Sequence, residues 1–431
     1  MSSEKKMKKG YVPELRFPEF RDKSGWVESD LGGLSQVLRG GSPRPIDSYL
    51  TEAANGLNWL KIGDVDKDSK YVTQTKEKVN HHALSKTRVV NPGDLILSNS
   101  MSFGRPYILK IKSCIHDGWI AITKISNKIK RDYLYYLISA PESQRFFINN
   151  AAGSGVQNLN ADIIKSLPIF FPVNDIEQQK IADCLSSLDN VISLQTQKID
   201  ALQQYKKGLV QKLFPTEGGT VPELRFNEFK NEGEWEERKL SEICERIMDG
   251  THFSPKSKSG KYIYVTSKNI KNGRLDLSDI SYISDAEHKE IYKKCPVKKN
   301  DVLLTKDGAN TGNCTINNVD FEFSLLSSVA VLRGSSIWLT QCFLYQLINS
   351  EKFQKTIQDS ISGQAITRIT LAKIGSYSVL IPKIAEQQKI ADCLSSLDGL
   401  ITDETQKLAV LKNHKTGLMQ QLFPAMDEVN A

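Results

Sequence analysis

Two long stretches of the chain carry apolar residues at alternating intervals of four and three, whereas the rest carries short apolar runs. The apolar seam positions are Ile181, Leu185, Leu188, Ile192, Ile199, Leu202, Leu209 and Leu213 in the first stretch, and Ile390, Leu394, Leu397, Ile401, Leu408, Leu411, Leu418 and Leu422 in the second. This heptad spacing is typical of a helix that packs along its length against another helix. We expect the first helix to start at Asp175 with a capping box completed by Gln178, and Pro215 and Pro424 to end the two helices.

Polar residues that interrupt the seams favour an antiparallel pair of helices. A parallel pair in register would oppose Lys206 and Lys415, whereas an antiparallel pair places Lys206 near Leu397 and Lys415 near Leu188. A helix of about 38 residues spans on the order of 57 Å. Such a pair could hold two domains against separate patches of one DNA duplex. A coiled coil that serves stability alone is the alternative.

An internal repeat organises the whole chain. Three blocks recur 209 residues later: VPELRF at 12–17 and 221–226, EQQKIADCLSSLD at 177–189 and 386–398, and GLVQKLFP at 208–215, which returns as GLMQQLFP at 417–424. Between these blocks the short apolar runs persist but the polar residues differ, as WLKIGDVD at 59–66 and YVTSKNIK at 264–271 show. This division indicates one scaffold with two different surfaces, although a repeat whose loops have merely drifted is the alternative.

Together these patterns predict an α+β fold with a pseudo-twofold internal repeat, in which an antiparallel two-helix coiled coil separates two globular domains. The expected boundaries are an N-terminal arm at 1–20, a first globular domain at 21–173, a first helix at 174–215, a linker and start of the second repeat at 216–234, a second globular domain at 235–382, a second helix at 383–424 and a C-terminal tail at 425–431.

Composition narrows the class of protein. The chain is 39% hydrophobic and 25% charged, as is ordinary for a globular protein, and it has no run of eighteen apolar residues that would span a membrane. Its seven cysteines show no spacing that suits zinc, so we expect no metal site. The first ten residues carry lysines without an apolar run, so we expect no signal peptide. The net charge of +7 is compatible with a polyanionic partner.

The repeated blocks resemble those of a known family, the specificity (S) subunits of type I restriction-modification enzymes. The strongest match is EQQKIADCLSSLD, which occurs twice, each time after an apolar stretch that ends in proline. Further matches are GGSPRP at 40–45, DGTHFSPK at 249–256, PGDLILS at 92–98 and NDVLLTK at 300–306. Their order and duplication make the resemblance specific.

The resemblance implies a cytoplasmic, prokaryotic DNA-binding subunit without catalytic residues or a cofactor of its own. The two globular parts would be target recognition domains, each reading one half of a bipartite, asymmetric site in double-stranded DNA. The helices would set the spacing and dock methyltransferase (M) subunits, expected to number two, and restriction (R) subunits would join the full complex. S-adenosylmethionine, ATP and Mg²⁺ would belong to those partners. Consistent with this, the chain has neither a Pro-Pro dipeptide of the adenine-methylase type nor a GxxxxGK[ST] phosphate loop.

Loops between the shared blocks supply the candidate DNA-reading residues, because amide, hydroxyl and cationic side chains present fixed donors and acceptors to bases and phosphates. In the first domain these are Arg44, Ser98, Asn99, Ser100, Arg105, Ser154, Gln157 and Asn158. In the second domain they are Thr251, His252, Lys256, Lys258, Lys268, Asn269, Lys306, Asn310, Gln364 and Arg368.

Two other classes of function remain open. An adaptor whose coiled coil binds proteins, and whose globular domains do not recognise DNA, would also contain paired helices. The divergence of the two surfaces argues against it. An enzyme that methylates or cleaves DNA on its own lacks support from any motif.

Overall fold

The computed structural model describes residues 12–23, 25–99, 104–151, 159–257, 259–361 and 367–424. The chain forms two compact units. Unit 1 comprises the residues up to 196 together with those from 406 onward, and unit 2 comprises 197–405. Each unit therefore combines one globular part with segments of both long helices.

Unit 1 contains eleven strands and four short helices among its described residues. The strands are β1 (Trp26–Asp30), β2 (Gln36–Arg39), β3 (Leu57–Leu60), β4 (Tyr71–Val72), β5 (Glu77–Val79), β6 (Arg88–Val90), β7 (Leu95–Ser98), β8 (Pro106–Leu109), β9 (Ser113–Ile115), β10 (Trp119–Thr123) and β11 (Pro168–Pro172). The short helices are α1 (Leu31–Leu34), α2 (Arg131–Ser139), α3 (Pro141–Asn150) and α4 (Ala161–Lys165), and the long helix α5 (Asp175–Leu213) follows.

These strands form a main sheet of order β2-β10-β7-β8-β4, a smaller sheet of order β5-β3-β9-β6 and the pair β1-β11. Strand β7 shows why its sequence is continuously apolar. Leu95 and Leu97 face the core shared with the helices, whereas Ile96 faces the core between the two sheets. Because successive side chains point to opposite faces, a strand buried on both sides reads as an unbroken apolar run.

Unit 2 repeats this plan. Its strands are β12 (Glu236–Lys239), β13 (Cys244–Asp249), β14 (Tyr262–Val265), β15 (Ile270–Lys271), β16 (Arg274–Leu275), β17 (Ser281–Ile283), β18 (Val302–Thr305), β19 (Cys314–Ile316), β20 (Phe323–Leu325), β21 (Val329–Gly334) and β22 (Ser378–Ile381). Its helices are α6 (Leu240–Ile243), α7 (Asp285–Lys294), α8 (Gln341–Ile348), α9 (Glu351–Ile361), α10 (Leu371–Gly375) and the long helix α11 (Ile384–Leu422). The main sheet has the order β13-β21-β18-β19, the smaller sheet β17-β14-β20, and β12 pairs with β22.

Each unit contains the start of one long helix and the end of the other. In unit 1 the start of α5 and the end of α11 share one core, which includes Ile181, Leu185 and Leu422. In unit 2 the end of α5 and the start of α11 share another, which includes Leu213 and Leu394. The remaining predicted seam positions are buried or partly buried.

Lysines that interrupt the seams find acidic partners inside each unit. In unit 2 the Nζ of Lys206 lies 2.6 Å from Asp398, and in unit 1 the Nζ of Lys415 lies 2.5 Å from Asp189. Asp398 and Asp189 directly follow Leu397 and Leu188, the residues predicted to lie near these lysines. In each unit, therefore, the start of one helix lies beside the end of the other, as an antiparallel arrangement requires.

The predicted capping box of α5 is wrong. Asn174 caps the helix instead: its Oδ1 accepts a hydrogen bond from the backbone N–H of Ile176 at 2.9 Å. The side chain of Gln178 is buried and accepts from the backbone N–H of Lys130 at 2.7 Å. Its amide donates to the carbonyls of Lys128 and Pro172 at 2.9 Å each. Gln178 thus fastens the globular part of unit 1 to the helix, and this tertiary role excludes the local one.

The described part of the predicted N-terminal arm is also not an arm. Residues 12–20 pack on unit 1, where the backbone N–H of Leu15 donates to the carbonyl of Gln421 at 2.9 Å. Arg16 is buried and forms two hydrogen bonds with the Glu177 carboxylate, each 2.7 Å long. The second VPELRF block does the same in unit 2, where Arg225 forms the matching pair with Glu386. The repeated VPELRF block is therefore a docking segment for the helices.

Candidate nucleic-acid interface

In unit 1 the described residues of the predicted reading loops meet at one end of the strands of the main sheet. The antiparallel register places Arg39 opposite Ile120 and Ser98 opposite Trp119, so β2 and β7 end where β10 begins. Backbone hydrogen bonds tie the loops together there: Gly40 N–H donates to the Trp119 carbonyl at 2.8 Å. We call this end, with residues 40–45, 99, 104, 116–118 and 159, the loop end of unit 1.

Unit 2 has a loop end of the same construction. Asp249 pairs with Ala330 and Thr305 with Val329, so β13 and β18 end where β21 begins. The backbone N–H of Lys306 donates to the Ser328 carbonyl at 2.9 Å. Residues 250–257, 306–311, 326–328 and 367–369 form this loop end. In both units, loops distant in sequence are thus gathered by the strand register.

The predicted DNA-reading residues fall into three groups. The first group is exposed or partly exposed and comprises Arg44, Arg105, His252, Lys256, Lys268, Asn310 and Arg368. Buried are Ser98, Asn99, Thr251, Asn269 and Lys306. Outside the described residues lie Ser100, Ser154, Gln157, Asn158, Lys258 and Gln364.

The buried group corrects the sequence-based expectation, because these side chains hold the loops rather than face solvent. The Asn99 amide donates to the Asp117 carbonyl at 2.9 Å. The Asn269 amide donates to the carbonyls of Asp276 and Asp279 at 3.0 and 2.9 Å, and its Oδ1 accepts from the backbone N–H of Thr266. Satisfied buried amides of this kind fix a loop conformation.

Lys306 is the clearest correction. Its side chain is 2% exposed and its Nζ lies 3.1 Å from Asp249, at the end of β13. A buried lysine with a carboxylate partner is a structural group, since removing it from that partner would leave an uncompensated charge. Two smaller groups are likewise internal: Ser98 is fully buried, and Thr251 uses its hydroxyl to accept from the backbone N–H of Phe253 at 3.3 Å.

Arg44 is the most available cation of the loop end of unit 1. Its side chain is 83% exposed, and its contact with Asp117 is a loose 3.6 Å. Burial opposes ionisation of the Asp117 carboxyl, but a hydrogen bond from Ser42 and neighbouring cationic side chains outweigh it, so its pKa lies below the usual value. Such exposed pairs contribute little to stability, which leaves the guanidinium free to contact a phosphate.

The corresponding loop of unit 2 is held by Glu287, a residue that the sequence did not single out. Its carboxylate accepts hydrogen bonds from the backbone N–H of Lys256 and from the hydroxyl of Ser257. The Ser257 hydrogen bond, followed by the one from Lys256, lowers the pKa of Glu287 to about 2. The Lys256 side chain itself is exposed. The loop is therefore tied down by its backbone while its cation faces outward.

Two features are absent from the part of the chain that the structure describes. That part contains no group of three or more His, Cys, Asp and Glu side chains placed to hold a metal ion. Within the same residues, no helix is both long enough and apolar enough to cross a lipid bilayer.

Comparison with known proteins identifies this architecture. The sequence model of the type I restriction modification DNA specificity domain matches the chain twice, over residues 23–204 and 232–413. Two curated relatives come from Methanocaldococcus jannaschii. The type I restriction enzyme MjaVIII specificity subunit is 24% identical, with 95% of this chain and 93% of the relative covered. The MjaIX specificity subunit is 21% identical, with 92% of each covered.

Solved structures agree in fold. The S subunit of a type I restriction-modification system from M. genitalium aligns with a TM-score of 0.58 at 16% identity, covering 96% of this chain and all of that one. A chain from a structure concerned with complex assembly and conformational transition of the type I R-M system gives a TM-score of 0.57 at 16% identity, covering 93% and 98%. At these identities the likeness bears on the fold alone.

Proposed function

The chain belongs to the specificity subunits of type I restriction-modification systems, and on that premise we propose that each unit reads one half of a bipartite, asymmetric DNA site. The observation that carries this proposal is the pair of loop ends. One backbone frame presents the exposed Arg44 and the partly exposed Arg105 in unit 1, and the exposed His252, Lys256 and Arg368 in unit 2. A shared frame with different side chains is what two different half-sites require, because base edges are distinguished by their donor and acceptor patterns.

The long helices would set the separation of the two half-sites. We propose that α5 and α11 pair in antiparallel fashion along their whole length. Each has 39 residues, which at about 1.5 Å per residue is roughly 58 Å. Contacts at both ends support this arrangement, since each lysine of the seams meets an aspartate of the other helix.

Exposed apolar side chains on these helices are the candidate docking surface for M subunits. Val191 and Leu194 of α5, and Leu400 and Val410 of α11, are exposed. Val191 and Leu400 are equivalent positions of the repeat, so one kind of partner could bind in both places, which fits two M subunits. Contiguous exposed apolar patches are typical of interaction surfaces.

We further propose that this chain contributes no catalytic group. S-adenosylmethionine would be bound by the M subunits. ATP and Mg²⁺ would be used by the R subunits of the full complex.

Methylation by the assembled complex tests the proposal. The chain, M subunits and labelled S-adenosylmethionine are incubated with duplex DNA, and the methylated adenines are mapped. Replacing 31–167 by the equivalent segment of another specificity subunit should change one half-site and leave the other intact. Unchanged methylation after this exchange, or absence of DNA retention with and without M subunits, would contradict the proposal.

A further inference from the structure

Each unit contains a cleft beside its loop end, between the first reading loop and the smaller sheet. The cleft of unit 1 has a volume of about 420 Å³, and its lining includes Arg44, Trp59, Lys61, Glu77 and His116. The cleft of unit 2 has a volume of about 570 Å³, and its lining includes Ser257, Tyr264, Thr266, Ser281 and Leu326. Except for Arg44, none of these residues belongs to the set predicted from sequence.

Backbone pairing shows that the two clefts are equivalent. In the smaller sheets Trp59 pairs with Glu77, and Tyr264 pairs with Ser281. The loop that closes each cleft is attached in the same way: the backbone N–H of His116 donates to the Leu60 carbonyl at 3.2 Å, and that of Leu326 donates to the Val265 carbonyl at 3.0 Å. Four lining positions therefore coincide: Trp59 with Tyr264, Lys61 with Thr266, Glu77 with Ser281, and His116 with Leu326.

The residues differ in chemistry at three of the four coincident positions, and the fourth position is aromatic in both units. In unit 1 the Nζ of Lys61 lies 2.5 Å from Oε1 of Glu77, and the two side chains are 40% and 36% exposed. In unit 2 the same two places hold the hydroxyls of Thr266 and Ser281. A position whose backbone is preserved while its side chain changes from a charged pair to two hydroxyls is suited to determining specificity.

The geometry points to a role in reading: we propose that each cleft contacts one base pair of the half-site that its unit recognises. The proposal rests on the proposed function. In unit 1 the Lys61 ammonium has donors left for guanine O6 and N7, and the Glu77 carboxylate has lone pairs left for the cytosine N4 amino group. Guanine O6 and cytosine N4 are neighbours in the major groove. The Lys61–Glu77 pair is therefore complementary to a G·C pair.

Arg44 and the Ser42–Asp117 contact place the reading loop on the rim of this cleft. The Ser42 hydroxyl donates to Asp117 at 2.9 Å, and this hydrogen bond fixes the loop beside the cleft that Lys61 and Glu77 line. The exposed Arg44 would bind a phosphate of the same nucleotide step, which supplies position rather than discrimination. In unit 2 the hydroxyls of Thr266 and Ser281 can each donate or accept, so they do not impose the donor and acceptor pattern that the Lys61–Glu77 pair imposes in unit 1.

The test exchanges the unit 1 residues for their unit 2 counterparts, Lys61→Thr with Glu77→Ser, in the complex with M subunits. Methylation is measured on a library of duplexes in which both half-sites are randomised. We expect discrimination at one G·C pair of one half-site to fall about 10- to 100-fold, with the other half-site unchanged. The conservative variant Lys61→Arg should keep the preference, because arginine also reads guanine.

A matched control is Lys299→Thr with Asp320→Ser, which removes an exposed ion pair of 2.6 Å outside the clefts. It should leave both half-sites unchanged. If the Lys61/Glu77 variant methylates the duplex library with the same sequence preference as the wild type, the assignment of the cleft to base reading is wrong. An equal loss of methylation on every duplex with thermal stability unchanged would also overturn it, because the cleft would then supply affinity alone. Failure of the wild-type complex to methylate any preferred sequence would instead overturn the proposed function.

Discussion

Removal of Arg16 should destabilise unit 1 and leave unit 2 largely intact. The Arg16–Glu177 pair is almost wholly buried, with side-chain exposures of 6% and 1%. In the variant Arg16→Met the Glu177 carboxylate stays buried, and the partner that it keeps among the described residues is the indole N–H of Trp26 at 3.3 Å. Removing one partner of a buried ion pair leaves an uncompensated charge and lowers the free energy of unfolding by about 3–5 kcal/mol.

Trp26 offers some compensation, so we expect the low end of that range, about 3 kcal/mol. Since about 1.4 kcal/mol corresponds to a factor of ten, amide exchange through opening of unit 1 should accelerate on the order of a hundredfold. Hydrogen–deuterium exchange with mass spectrometry measures this directly in β10 of unit 1 and β21 of unit 2. Acceleration is expected in β10 alone.

Two further variants make this prediction refutable. Arg225→Met breaks the equivalent pair with Glu386 and should accelerate exchange in β21 instead of β10. The double variant Arg16→Met with Glu177→Met removes both charges, and because apolar replacement of a buried pair is often neutral, it should recover most of the protection. If the double variant exchanges as fast as Arg16→Met, or if either single variant affects both strands equally, the reasoning is wrong.

Three other predictions follow from single features. Gly40→Ala places a methyl group against the carbonyl of His116, so it should shift the reading loop, cost about 1–3 kcal/mol in thermal unfolding and weaken discrimination in one half-site only. Because its pKa is lowered, the ionised Glu287 carboxylate stabilises the unit 2 loop at any pH above the ordinary glutamate pKa, and this stabilisation is lost as the pH falls toward about 2. The chemical shift of the Lys256 backbone amide should follow this titration, and the variant Glu287→Gln should abolish the pH dependence. Gln178→Ala removes hydrogen bonds to three backbone groups, of which the Pro172 carbonyl is bonded in a buried place, and should lower the free energy of unfolding by about 1–3 kcal/mol, whereas a substitution of the exposed neighbour Gln179 should change it little.

Much of the architecture could be predicted because its signals are periodic. The heptads indicated both long helices, since a seam repeats at every turn and local errors average out, and the prolines at 215 and 424 lie within two residues of the observed helix ends. The lysines at 206 and 415 indicated the relative direction of the helices inside each unit. Each of these inferences uses only the polarity of the residues and their spacing along the chain.

The candidate site could be predicted only in part, because a polar side chain does not reveal its partner. Lys306 and Arg44 look alike in sequence, yet one is buried against Asp249 and the other is exposed. Their difference arises from strand register, which places the ends of β13 and β18 on the two sides of β21, a proximity that no local sequence pattern records. Glu77 was missed for the same reason, because its importance comes from lying beside Lys61 across the smaller sheet.

The sequence also contained a signal for the buried arginine–glutamate contacts, which the prediction of an N-terminal arm did not use. The arginine of VPELRF and the glutamate of EQQKIADCLSSLD are separated by 161 residues in both repeats, and both pairs form the same buried contact. Two blocks preserved at a constant separation in a duplicated chain, while the sequence between them changes, are candidates for direct contact. Applied here, that criterion would have placed residues 12–20 on unit 1 rather than in an arm.

The exchange of helix ends explains why these blocks are so alike in the two copies. The start of α5 packs in unit 1 against the end of α11, and the end of α5 packs in unit 2 against the start of α11. A helix start from one repeat must therefore fit a helix end from the other. Changes in one copy of EQQKIADCLSSLD would face a partner encoded in the opposite repeat, so divergence is costly there. The described residues of the loop ends contact their own unit, so the side chains there and in the clefts could diverge on an unchanged frame.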